Sequence, residues 1–303
     1  MRIASITSLF LALLGSCCVS HRSQEVIHAS LGSSDRSAAD FECLRLAFVA
    51  NNPGYDLAYY ETVRTLDPVN RDRVAFVQGP VGRVAEPSVG DVMLLRAGER
   101  WDLLAEGAVA LLVFSLPDSL PEDLPSIIRP DWDPQITDTP GGCATEGDAY
   151  RRILLTWQPK VGPYILHSLN AHRVRIHNSF SHYHPVDGGF DEFYLVQQAP
   201  AGSRLLTSTN VAAIESRQVD AEHAATLLQS RELHNFDLVY LPRGTMHRGL
   251  GGALVQVISV PGFVPKSEIG VDHHLWAINK QLGLPKDAAI PFHLVAARTT
   301  VVK

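Results

Sequence analysis

The sequence predicts an all-β chain built from two copies of one unit and closed by a short C-terminal helical segment. Three observations carry this. Short apolar runs broken by Gly, Pro and Asn, such as RVAFVQG, GDVMLLRAG and AVALLVFSL, recur up to Leu116 and resume at RRILLTW, which is the pattern of strands and turns. GDVMLLRAGERW, Gly90 to Trp101, aligns without a gap on FDLVYLPRGTMH, Phe236 to His247, with Asp91 on Asp237, Gly98 on Gly244 and Trp101 on His247. Each copy then runs into a strand ending in Ser-x-Pro, at Pro117 and at Pro261, so the repeat is longer than a single strand and turn.

The bulk properties set the class. With 303 residues, 46% of them hydrophobic and 19% charged, the chain can bury a core large enough for two domains or one duplicated one. The formal net charge is −6 and no long Lys/Arg run is present. That removes the electrostatic footprint required of a nucleic-acid or anionic-membrane binder. The expected partner is a small molecule, with no nucleic acid.

Taken in order, residues 1–16 read as an export signal, with Arg2, an apolar run through Leu14 and small residues before Cys17. Residues 17–40 are polar and Ser/Ala-rich and read as a disordered tether. Residues 41–116 form the first β domain. Between Pro117 and Pro140 stand six prolines, too many for a helix or a central strand, so residues 117–149 read as a linker or wrapping segment. Residues 150–265 form the second β domain, with one short helix at DAEHAATLLQS. In residues 266–303, DHHLWAINKQLGL reads as a helix with Val271, Leu275, Ile278 and Leu282 on one face, Asp272 capping its start and Gly283 ending it. Cys43 and Cys143 form a disulfide after export or stand as separate buried thiols, and neither carries a catalytic signature.

The chemistry sits in SHYHPVDGGFDEFYLV, Ser181 to Val196. Residues i and i+2 of a strand share a face, so His182 and His184 reach one ion together. After the PVDGG turn, Glu192 opens the next strand, and His247 follows the turn PRG. Three imidazoles and a carboxylate, with positions left open, suit a divalent transition metal: Fe, Mn, Zn, Ni or Cu. Tyr194 shares the strand parity of Glu192, as a cavity residue or an amphipathic core tyrosine, and Tyr240 is read the same way. Arg173 and Arg175, on the strand face opposite His172, either bind an anionic substrate or are solvated. The adjacent His273 and His274 point about 100° apart on a helix and read as surface groups. His167, His223, His234 and His293 are isolated and read as structural.

HYHPVDGGFDEFYLV, with Gly202 further on, resembles the first motif of the cupin superfamily, and DLVYLPRGTMH resembles the second. The resemblance implies double-stranded β-helix (jelly-roll) barrels and metal ligation by His182, His184, Glu192 and His247. One departure is that seven residues separate His184 from Glu192, more than the motif has, which makes Asp187 an alternative ligand. No histidine stands between His28 and His167, so the first copy looks like a degenerate cupin half with Trp101 in the metal space. The resemblance implies dioxygenase-type oxidation of a small organic molecule with Glu192 or Tyr194 assisting proton movement. Isomerase or lyase action, or a metal-bearing binding or sensory role, are the rivals. Cupins commonly dimerise through their sheets, so a homodimer is expected. LGSC, Leu14 to Cys17, resembles a bacterial lipobox, which implies a periplasmic or cell-surface lipoprotein held to the membrane by lipidated Cys17 alone.

Overall fold

A computed structural model describes residues 25–32, 35–81, 87–102, 107–142 and 149–303. The signal, the lipobox and Cys143 lie outside the described residues. Cys43 is disulfide-bonded, and the other three cysteines of the chain lie outside those residues. No described helix is long and apolar enough to cross a membrane.

The chain is all-β, as expected. The first unit comprises β1 (Ile27–Ser30), α1 (Asp35–Asn51), β2 (Asp56–Val63), β3 (Thr65–Leu66), β4 (Arg73–Val81), β5 (Val92–Leu95), β6 (Trp101–Asp102), β7 (Ala108–Ser115) and β8 (Ile127–Ile128). The second comprises β9 (Arg151–Leu155), β10 (Asn170–Asn178), β11 (His182–Tyr183), β12 (Asp191–Gln198), β13 (Arg204–Ser208), α2 (Val211–Ser216), α3 (Ala221–Ala224), β14 (Gln229–Glu232), β15 (Asp237–Leu241), β16 (Met246–Val260), β17 (Ile269–Gly270) and α4 (Asp272–Leu282).

The repeat read from sequence reappears as topology. One sheet runs β2-β7-β4-β5-β8, and the path of the other runs β9-β10-β16-β12-β15-β1, so that beyond the extra strand β9 corresponding strands stand at corresponding positions. One edge strand crosses over: β1, at the start of the first unit, pads β15 of the second, whereas β8 pads β5 within the first. The short pairs match as well. His182 of β11 faces His247 of β16, and in the first unit Leu66 of β3 faces Trp101 of β6.

Strand alternation divides the side chains between two kinds of core. Phe76 and Phe114 of the first unit join Phe193, Leu195, Leu238 and Tyr240 of the second in one shared core. Their neighbours Ala75 and Val113 turn into the first unit, and Tyr194, Val196 and Val239 turn into the second barrel. This is the period-2 pattern with both faces buried, which gives continuous apolar runs. Phe48 of α1 seals the junction, with ring contacts to Phe114, Phe193 and Tyr240 at 5.8, 5.1 and 6.1 Å.

Two expectations need correction, and one pair of alternatives is decided. The tether does not extend to residue 40, because Ile27 to Ser30 complete the edge of β15 and α1 begins at Asp35; Phe41, Leu44 and Phe48, at i, i+3 and i+7, are the helical stripe that composition concealed. The proline-rich stretch is a wrap rather than a free linker: Leu120, Leu124, Ile128 and Ile136 are buried, and the Leu120 N–H donates to Asp72 at 2.6 Å. Asp272 does not cap α4. Its carboxylate accepts from the backbone N–H groups of Ser181 and His293, each at 2.7 Å. The other end of α4 is as expected, since Gly283 has φ 59° and its N–H bonds back to Asn279 and Lys280.

Candidate metal centre

The sheet brings four side chains to one point. One potential ligand atom from each of His182, His184, Glu192 and His247 lies within 4.8 Å of every other, and all four residues are buried. β11 and β16 set His182 opposite His247, β12 presents Glu192 on its inward face, and the hairpin Pro185–Phe190 returns the chain between His184 and Glu192. Gly189 makes that return feasible, because a Cβ there would stand 2.1 Å from the carbonyl oxygen of Pro185. The Gly244 N–H donates to the carbonyl of His184 at 2.6 Å, and so locks the second motif's turn onto the first. Asp187 is exposed in the hairpin turn and outside the cluster.

The tautomers follow from the hydrogen-bond network. Nδ1 of His182 lies 3.2 Å from the carbonyl of Phe180, and Nδ1 of His247 lies 3.3 Å from that of Thr245; His184 is hydrogen-bonded to the backbone of Phe190. With Nδ1 donating outward, Nε2 turns its lone pair inward. Nε2 of His247 stands 3.3 Å from one Glu192 oxygen and Nε2 of His184 stands 3.7 Å from the other. Nε2 of His247 and Oε1 of Glu192 have no hydrogen-bond partner among the described residues. A cation placed between these facing buried acceptors would satisfy them. Burial, and then the neighbouring His247, holds the pKa values of His182 and His184 well below the usual imidazole value, so these two are neutral and able to ligate. Phe180 stacks on His182 and Phe190 on His184, at 4.5 and 3.8 Å between centroids. The donor set and its supporting carbonyls therefore fit a divalent transition ion.

The centre opens on one side into a cavity of about 420 Å³. His182, His184 and Glu192 line its inner end; Arg151, His172, Trp157, Phe263, Glu268 and Lys303 are among its other lining residues. None of these six was singled out for the site from sequence. Glu268 stands 3.7 Å from Nε2 of His182, and burial raises its pKa, against which the charge of Lys303 works. Burial, then Arg151, holds the His172 pKa well below its ordinary value. The signal for His172 was present in its strand parity with Val174 and Ile176. Glu268 and Lys303 carried none, since the pairing of Ile269 with Val302 that brings their backbones together is long-range.

Other candidates divide. Tyr194 is fully buried, its ring 6.1 Å from that of His247, and it is not among the described residues lining the cavity. Tyr240 faces the shared core and donates to Asp191 at 2.6 Å. Arg173 and Arg175 are neither in the cavity nor simply solvated. Arg173 binds Asp131, Tyr150 and Gln197, and Arg175 binds Gln198 and the carbonyl of Gly252. His273 and His274 sit ring to ring on α4, with His274 accepting from Arg217.

Fold and site together define a class: an all-β jelly-roll protein with a buried, open-sided centre of three histidines and one glutamate. A scan against protein-family models gives no match, and a search among curated sequences gives none. Solved structures with a similar course include oxalate decarboxylase from Bacillus subtilis at 13% identity, covering 79% of this chain and 78% of that one with a TM-score of 0.45. The formate complex of the Lactobacillus farciminis oxalate decarboxylase is 16% identical over 80% and 85%, TM-score 0.42. AerE from Microcystis aeruginosa is 9% identical over 68% and 85%, TM-score 0.40. Identities and scores of this size tie none of those activities to this chain.

Proposed function

We propose that this protein is a divalent-metal-dependent oxidoreductase of dioxygenase type acting on a small organic molecule. The observation that carries the reading is the inward convergence of four buried acceptors at the inner end of a cavity open to one side. His182, His184, Glu192 and His247 would hold the ion. Once bound, it supplies Lewis acidity and, if redox-active, electrons for dioxygen chemistry. Phe190, stacked on His184, and Phe263 beside it at 5.4 Å keep bulk water from the reacting end. Glu192 holds the ion and is placed to take a substrate proton. Tyr194 stands behind His247 and fixes that ring.

In the first unit, Leu66 and Trp101 occupy the rung that two histidines occupy in the second, which supports reading that unit as a cupin half without a metal. The lipobox-like LGSC supports an exported protein anchored at Cys17. The same features favour a second reading, a metal-bearing binding or sensory lipoprotein; isomerase or lyase action is the enzymatic rival. Metal analysis of purified protein, expected to return about one transition ion per chain, followed by oxygen uptake with phenols and small carboxylates, tests the proposal. Bound metal and ligand without oxygen consumption or any other turnover would establish the binding role instead.

A further inference from the structure

We propose that the cavity accepts a carboxylate-bearing molecule with a flat apolar body, its carboxylate met by Arg151 and Lys303 and its body lying along Trp157 and Phe263. The inference deepens the metal reading and rests on it for where the reacting end of the substrate points.

Both cations are placed by the fold. One Arg151 nitrogen donates to the Thr139 carbonyl at 3.1 Å. A Cβ on Gly142 would stand 3.4 Å from the other terminal nitrogen, so the guanidinium lies within van der Waals reach of this stretch of backbone, whose φ of +56° favours glycine. The Lys303 ammonium sits 4.5 Å from the centroid of Phe180, the ring that stacks on His182, so this cation is held beside the inner end. Both line the same cavity as Glu268, and Lys303 and Glu268 are joined by two backbone hydrogen bonds. With a divalent ion in place, the charged groups among the described residues lining the cavity, Arg151, Lys303, Glu192 and Glu268, sum to a positive value. An anion is the favoured guest, and a guanidinium fork grips a carboxylate in two places.

The rest of the wall speaks for a ring. Trp157 and Phe263 are stacked, with centroids 4.1 Å apart and planes 25° apart, and Phe190 continues that wall toward His184. A cavity of about 420 Å³ is several times larger than a two-carbon acid needs and suits a single-ring molecule.

The experiment is calorimetric titration of the metal-loaded protein with benzoate, benzamide and acetate, repeated on R151Q and K303M, with metal content measured for each preparation. Benzoate is expected to bind at least about tenfold more tightly than benzamide, through the charge, and than acetate, through the ring. Each variant is expected to lose most of the benzoate-over-benzamide preference while keeping its metal. Lys303 is exposed, so K303M keeps the test open should R151Q fail to fold. Equal binding of benzamide, or a preference that survives both variants, overturns the anion site; equal binding of acetate overturns the flat body. A protein that holds its ion but shows no preference sinks this inference alone. One that holds no ion yet prefers benzoate through Arg151 and Lys303 sinks the metal reading and leaves the anion site standing.

Discussion

A buried imidazole ligates well only when something behind it fixes its ring, and at this centre backbone carbonyls do so for His182 and His247. The next support is Asp272, which holds the Ser181 N–H one residue ahead of His182. Asp272→Asn is therefore expected to weaken metal binding by ~10–100-fold and to destabilise the fold by ~1–3 kcal/mol, because one buried N–H loses its acceptor; metal titration and urea unfolding read the two effects. Glu192→Gln behaves differently. It keeps the shape but removes the charge, so metal affinity should fall by more than ~10-fold while the metal-free protein loses no stability, since carboxylate and imidazole lone pairs no longer repel. A metal-free E192Q melting well below metal-free wild type would contradict this account. At this scale the sequence was largely legible. The four side chains that cluster were readable because strand parity and motif spacing are local, and the choice of Glu192 over Asp187 followed from which one opens a strand.

Among the elements, α1 does the most to join the two units, and it was the one least readable. Its stripe of Phe41, Leu44 and Phe48 follows a polar stretch and was hidden by it. Phe48→Ala removes a ring that touches four other aromatics and is expected to cost ~3–5 kcal/mol, measured by denaturant unfolding. The same helix end feeds a buried polar network. Asn52 and Tyr240 donate to one Asp191 oxygen, and Arg243 donates to the other through its backbone N–H and guanidinium. Asp191 immediately precedes Glu192, so the network fixes the strand that presents the carboxylate ligand. Asp191→Ala leaves the Arg243 charge without its partner and should cost ~3–5 kcal/mol together with metal affinity. No local pattern announces such a network, because Asn52, Asp191 and Arg243 meet only after the units pack.

The whole molecule is one piece. The units share a core, the first lends β1 to the edge of the second, and they are cross-bonded by Gln78 to the Val196 carbonyl and by Gln256 to the Gly90 carbonyl, at 2.6 and 2.7 Å. Metal binding should therefore stabilise all of it: at an ion concentration of 100 times Kd the gain is ~2.7 kcal/mol, and chelation should lower the melting temperature of both units in one transition. The metal-free protein should also be acid-sensitive. Burial first of all holds His172, His182 and His184 well below the ordinary imidazole pKa, so the folded state binds fewer protons than the unfolded one. That contribution is complete above the unfolded value of about 6.5 and is lost as pH falls below it through the folded values. Melting temperature measured from pH 8 to pH 5.5 should fall across the lower part of that range.

The amino-acid order by itself determined the all-β class, the repeat, the four side chains of the cluster and the turn that carries Gly244, because alternation, turn chemistry and spacing act within a dozen residues. The folded molecule decided the rest. It turned the proline-rich stretch into a wrap, gave β1 to the second unit, sent Tyr240 to the shared core, and drew Arg151, Glu268 and Lys303 around one cavity. Those outcomes depend on which distant surfaces meet and exclude water, a free energy that belongs to no short stretch of chain.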